Sequence, residues 1–269
     1  MILTPRLVDI GLNLAHDSFD HDRSHVVDTA RAAGVEHMVI TGSTLESTAA
    51  AIELVRSDPV MFRCTAGVHP HHARDLRTEH LPRLRELLAA PEVGAAGECG
   101  LDYFRNFSSP EDQERAFRWQ LELAVEAGKP VFLHQRDAHD AFVAILADYL
   151  PRLAGAVAHC FTGDERELRD YLDRGLAVGI TGWICDERRG RPLRDLVRLI
   201  PLDRLMAETD APYLLPRDLD PKPAHRRNEP KSLPHIVKTI AACRGEPFPA
   251  VAAATTRNAL EFFGFASDQ

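Results

Sequence analysis

The sequence predicts one (β/α)8 barrel spanning residues 1–269 as a single domain. Three observations carry this. Eight short apolar, often β-branched segments alternate with helical patterns, and parallel strands need such covering crossovers. Eight βα units in 269 residues match the usual size of the barrel. No G-x-G-x-x-G follows the first segment and no Walker A sequence occurs, so the rival open doubly wound sheet lacks its usual marker.

The strand segments are 7–12, 37–41, 62–68, 93–98, 131–134, 156–159, 176–181 and 205–210. The first, LVDIGL, carries Asp9. The second runs into Gly42-Ser43-Thr44, which reads as a helix N-cap or as a turn that cradles phosphate. The third leads to His69-Pro70-His71-His72, where His69 is placed to touch substrate and the next two histidines read as loop residues. The fourth to sixth end at Glu98, His134 and His159. The seventh ends at Thr181, ahead of Trp183 and the charged run Asp186-Glu187-Arg188-Arg189, and the eighth ends at Asp210. The helix between the fourth and fifth segments is the clearest. Ser109 suits its N-cap, Pro110 its first position, and Glu111 and Asp112 its positive end. Phe117, Leu121, Ala124 and Val125 then recur at helical spacing. Gly128 can close the helix in the left-handed conformation, and Pro130 stops it.

Bulk properties bound the function. Apolar residues at 45% and charged residues at 27% describe an ordinary globular chain. A net charge of −8 excludes a protein that coats nucleic acid through a basic surface, while leaving room for phosphate chemistry at a local site. Five scattered cysteines without a C-x-x-C pair argue for a reducing compartment. No signal peptide or membrane span is indicated, so the expected location is cytoplasmic with no membrane partner.

In such barrels the chemistry lies where strands end. The end residues are Asp9, Thr41, His69, Glu98, His134, His159, Thr181 and Asp210, each about one βα unit from the last. Any one has a bland reading: a hydrogen-bonded core histidine, or a helix cap for Glu98 or Asp210. Together, Glu98, His134, His159 and Asp210 read as a divalent-metal site, with imidazole and carboxylate lone pairs converging and the acids cancelling the ion's charge. A bridging carboxylate among them could serve one ion or two. Arg226 and Arg227, in PAHRRNEP, either grip phosphate or form a solvated basic loop.

Read together, "DIGLNL", "AGVHPHHA", "GECGLDYFRNFS", "FLHQRDAH", "AHCFTG", "GITGWICDERRG", "ETDAPYLLPRDL" and "RRNEP" resemble the TatD family of metal-dependent deoxyribonucleases, within the amidohydrolase-like barrels. The resemblance covers nearly the whole chain. It implies metal ligands at Glu98, His134, His159 and Asp210, and active-site positions for His69 and Glu208. Many relatives in the wider superfamily carry His-x-His at the end of the first strand. Here Asp9-Ile10-Gly11-Leu12-Asn13 stands there, and Asp9 and Asn13 suggest an oxygen-rich second site that favours Mg²⁺ or Mn²⁺ over Zn²⁺.

The reading that follows is hydrolysis of phosphodiester bonds in DNA, single-stranded and taken from the 3′ end as the family implies, with RNA a further substrate. Asp210 would orient the attacking water or take its proton. Glu208 would share its face on a regular strand, there to hold a second ion or to form a structural ion pair. His69, Arg226 and Arg227 would hold phosphate. Trp183 and Tyr103 would either stack a base or simply pack. A different hydrolase, acting on amides or esters as an aminoacyl-tRNA deacylase or lactonase does, fits the same barrel. A non-catalytic binding barrel would predict an incomplete ligand set. Oligomeric state is not readable from the sequence.

Overall fold

The computed structural model describes residues 6–265. Eight parallel strands follow in chain order around one sheet: β1 Leu7–Leu12, β2 Val35–Ile40, β3 Phe62–Ala66, β4 Val93–Asp102, β5 Val131–Arg136, β6 Ala156–Ala158, β7 Ala177–Ile180 and β8 Leu205–Ala207. Each is followed by a helix: α1 Arg23–Ala32, α2 Leu45–Ser57, α3 Leu81–Leu88, α4 Pro110–Ala127, α5 His139–Ala147, α6 Glu165–Asp173, α7 Arg191–Leu196 and α8 Leu233–Arg244. The sheet closes beyond the end of β8. There Asp210 N–H donates to Gly11 O (2.8 Å) and Asn13 N–H to Ala211 O (2.7 Å). The (β/α)8 barrel predicted by the sequence is the fold observed.

Strand alternation divides the core in two. Val8, Ile10, Val39, Phe132, Val157 and Met206 fill the barrel's interior, while the other strand faces join the helices in a larger outer cluster. A ninth helix, α9 (Phe248–Phe263), has no strand of its own. Its Ala259 and Phe263, with Phe265, complete the inner cluster. Phe263 O would lie 2.7 Å from a Cβ at Gly94, near the start of β4, so the end of α9 plugs the side of the barrel where strands begin. The opposite side, where strands end, carries the polar residues.

Local chemistry accounts for the helix that was clearest in the sequence. Ser109 Oγ accepts from Asp112 N–H (3.2 Å), Pro110 leads α4, and Gly128 closes it at φ +63°. Thr44 caps α2 through Ser47 N–H (3.1 Å), so the Gly42-Ser43-Thr44 turn serves a helix start.

Several strand limits differ from those predicted. β6 and β8 stop short, leaving His159 and Asp210 in the turns just beyond them. β4 and β5 run on to Asp102 and Arg136, because pairing resumes after an irregularity at 97–98 and continues through Gly100–His134 and Asp102–Arg136.

Candidate metal centre and active site

Glu98 reaches the barrel mouth because of that irregularity. Gly97 and Gly100 hold φ of +135° and +143°, a region closed to residues with a Cβ, and a Cβ on either would strike the carbonyl of Phe132 or His134. Glu98 N–H turns aside to Gly42 O (2.8 Å). The carboxylate thus leaves the ladder and points at three imidazoles. Glu98 Oε1 lies 2.8 Å from His159 Nε2, 3.0 Å from His134 Nδ1 and 3.3 Å from His69 Nε2.

Donor atoms of His69, Glu98 and His134 all lie within 4.8 Å of one another. His69, which the sequence suggested as a substrate contact, is therefore inside the ligand cluster. Asp210 lines the same cleft and accepts from Asn13 Nδ2 (3.4 Å). Its backbone is left-handed at φ +54°, a conformation Asp tolerates better than most residues.

Charge settles unevenly across these groups. Burial raises the pKa of Glu98, but His69, His159 and His134 outweigh it and hold the carboxyl well below its usual range. Burial lowers His159, yet Glu98 and Glu208 carry it well above the usual imidazole value. His134 is raised as well, Asp102 and Glu98 overcoming its burial. His69 is pushed down to about 4 by burial, against the pull of Glu98. Asp210 is pushed up to about 7 by burial, with His159 opposing.

The residues fit a divalent cation on this structure's own terms. Imidazole nitrogens and carboxylate oxygens converge at one point. His134 Nε2 is buried without a hydrogen-bond partner among the described residues; it lies 3.4 Å from Asp102 Oδ2, outside hydrogen-bond alignment. Burial holds the His69 ring neutral; its Nδ1 accepts from His71 N–H (3.0 Å), and Nε2 is the nitrogen turned towards Glu98. Glu98, His69, His134, His159 and Asp210 are the residues that would hold the ion.

Other predicted residues take different places. Glu208 does not share a face with Asp210, since β8 has already ended; it lies fully buried behind His159, Oε2 3.2 Å from Nδ1, and Oε1 accepts from Cys160 N–H (2.5 Å). A Cβ at Gly11 or Gly179 would come within 2.5 Å of its oxygens, so both glycines make room for it. Asp9 is no ligand of an oxygen-rich site. It is buried and accepts from Thr209 N–H (2.9 Å), Thr209 Oγ1 (2.5 Å) and Gly11 N–H (3.3 Å). Arg227 is not a free phosphate fork: it donates to Ser18 O, both Asp22 oxygens and Glu229 at 2.5–2.9 Å. Arg226 is exposed and does not line the cleft. Tyr103 turns its hydroxyl away to Glu114 (2.9 Å), whereas Trp183 does line the cleft.

Some site residues escaped the sequence. His71 is no idle loop residue: its Nε2 lies 2.7 Å from Asp102 Oδ2 at the cleft wall. Asp102, Arg105 and Arg136 also line the cleft, which has a volume of about 580 Å³. Glu98, Gly100 and Asp102 alternate along β4, as His134 and Arg136 do along β5, so the two-residue period was the available signal. Two buried glutamines of α4 fasten the site's backbone. Gln120 pairs with both backbone groups of Val68, just before His69, at 2.7 and 3.0 Å, and Gln113 with both of Asp102 at 2.7 and 3.1 Å.

Comparison with known proteins gives the family. The family described as TatD related DNase matches residues 8–264. The chain belongs to the TatD DNase family. A TatD relative from Cronobacter sakazakii, named 3′-5′ ssDNA/RNA exonuclease TatD, is 54% identical over 257 residues, covering 96% of this chain and 97% of its own. One of the same name from Pantoea vagans is 54% identical over 260 residues, covering 97% of this chain and all of its own. Among solved structures, the TatD homologue YJJV from Escherichia coli superposes with a TM-score of 0.87 at 26% identity, over 97% of this chain and 99% of its own. Dihydroorotase from Campylobacter jejuni, at TM-score 0.59 and 15% identity over 99% of this chain and 84% of its own, shares the fold alone.

Proposed function

We propose that this protein is a metal-dependent 3′→5′ exonuclease acting on single-stranded DNA and RNA. The observation that carries it is the convergence of His69, Glu98, His134, His159 and Asp210 on the floor of a cleft rimmed by Arg105 and Arg136. The TatD relatives named as ssDNA/RNA exonucleases support the substrate class.

His69, Glu98, His134, His159 and Asp210 would hold a divalent cation, which when bound would supply water acidification and charge compensation at the phosphoryl oxygens. The protein's own groups do the rest. Asp210 lines the cleft beside the cluster, where its carboxylate is placed to orient the attacking water or take its proton. Arg105 and Arg136 meet the phosphates, and the Arg136 guanidinium, 3.9 Å from the centre of the Phe104 ring, is steadied by that contact. Phe104, Phe107 and Tyr213 are each more than half exposed around the cleft and its side opening, where unstacked bases can lie on them. They replace Tyr103 as stacking groups, beside Trp183.

Mg²⁺ and Mn²⁺ are the ions we propose. With Asp9 committed to Thr209 and three imidazoles in the set, Mn²⁺ should bind more tightly than Mg²⁺. An amide or ester hydrolase, such as an aminoacyl-tRNA deacylase or lactonase, is not favoured: the cleft carries arginines and aromatics suited to nucleotides. Among the described residues no helix is long and apolar enough to cross a membrane.

The test is digestion of a 5′-labelled single-stranded DNA or RNA in Mg²⁺, Mn²⁺ or EDTA, with Glu98→Ala alongside. The reading requires a ladder shortening from the 3′ end that EDTA and the substitution both abolish. An intact strand with either metal overturns it.

A further inference from the structure

A second cavity, of about 260 Å³, opens beside the metal cleft. The two share Gln135, Arg136, His159, Thr162 and Trp183, so they adjoin along a common wall. Phe104, Phe161 and Trp183 line the side cavity with aromatic surface, and Glu167 from the first turn of α6 supplies a carboxylate. Gly163 lets the carboxylate sit where it does, because a Cβ there would push Glu167 Oε2 aside. Glu167 is half-buried, which pushes its carboxyl up. The Asp164 backbone N–H faces its carboxylate and His139 and Arg166 favour its charge, while its own backbone N–H donates to Asp164 Oδ1 (2.9 Å); no side chain among the described residues donates a hydrogen bond to the carboxylate. A partly desolvated acceptor at the wall of an aromatic cavity lacks a donor that a ligand could bring.

We propose that this cavity holds the base of the terminal nucleotide and that Glu167 selects bases carrying an exocyclic amino group. The inference rests on the exonuclease reading above. With the scissile phosphate at the metal cluster, the adjoining base has the side cavity next to it. Its faces meet aromatic rings, which accept any base. Its edge meets Glu167. Adenine, cytosine and guanine each present an amino donor to the carboxylate. Thymine and uracil present one N–H between two carbonyl oxygens, and the carboxylate repels both. The cavity admits a purine or a pyrimidine, so the edge, and not the size, decides.

The experiment measures kcat/KM for release of the first nucleotide from oligonucleotides identical except for a 3′-terminal dA, dC, dG or dT. Wild type should favour the three amino-bearing ends over dT by about tenfold, the size of one hydrogen bond to a charged acceptor. Glu167→Gln, whose amide donates to a thymine carbonyl as well as accepting from an amino group, should collapse that ratio by raising the dT end towards the others. Gly163→Ala should do the same by displacing the carboxylate. Equal rates for all four ends in wild type, or an unchanged ratio in Glu167→Gln, overturn the proposal. In parallel, quenching of Trp183 fluorescence by dCMP and dTMP is followed without metal, with Trp183→Phe to separate the signal from that of Trp119. Tighter dCMP binding that depends on Glu167, in a protein that cuts no strand, would retain the base pocket and remove the exonuclease reading. Cutting without base preference would do the reverse, and neither cutting nor selective binding would remove both.

Discussion

Glu208 Oε2 lies 3.2 Å from His159 Nδ1, while His159 Nε2 faces Glu98 on the other side of the ring. The buried carboxylate fixes which imidazole nitrogen carries the proton and which is directed at the cluster. Such a partner raises the basicity of a ligating histidine and fixes its orientation. Glu208→Gln should therefore weaken metal binding by about 10- to 100-fold. Calorimetric titration with Mn²⁺ reads this directly, and unchanged affinity would show that His159 is not a ligand.

Base stacking and packing separate at the aromatic residues. Phe107→Ala and Tyr213→Ala should each raise KM for single-stranded DNA by roughly 5- to 150-fold, the cost of one lost stack of about 1–3 kcal/mol. Tyr103→Phe should leave KM unchanged, since its hydroxyl serves Glu114 away from the cleft. Steady-state kinetics on one oligonucleotide distinguishes them; equal effects at all three would undo the assignment.

The two arginines at 136 and 227 should fail in different ways. Arg136→Ala should weaken single-stranded DNA binding and reduce the slope of log affinity against log salt by about 0.7, one phosphate contact. Arg227→Met breaks an anchor between the loop after β8 and the segment before α1, costing about 1–2 kcal/mol. That lowers Tm by about 2–8 °C without moving the salt slope. A salt titration and a thermal melt of both variants check the division.

Asp9 gives stability a pH dependence of its own. Burial pushes its carboxyl up to about 8, against hydrogen bonds from Thr209 and Gly11 that favour the anion. A carboxyl whose folded pKa lies above its unfolded value near 3.8 binds more protons folded than unfolded. Its contribution is fully present below pH 4 and is lost as pH rises towards 8. Relative to Asp9→Asn, wild type should lose stability over that window, by at most about 1.4 kcal/mol per pH unit. Denaturant unfolding in EDTA at several pH values measures the difference, and a flat difference would mean that Asp9 is ionised throughout.

Much of this protein was legible in one dimension. The alternation of apolar runs with capped helices specified the barrel, because strand and helix periods and terminal residues such as Ser109, Pro110 and Gly128 act locally. Polar residues recurring at successive strand ends pointed to one mouth, because a closed parallel barrel brings all those ends to the same side. Glu98, His134, His159 and Asp210 were found that way. The remainder depends on partners distant in the chain. Arg227 reads like Arg226 until folding brings Asp22 to its guanidinium, and Asp9 reads as an oxygen ligand until Thr209 claims it. His71 gains a role only from Asp102, and Glu208 only from β8 ending at Ala207. Local sequence determines where a side chain starts. Which of several possible partners takes its charge or hydrogen bond is decided by three-dimensional proximity, because those interactions act over a few ångströms between segments as much as 209 residues apart.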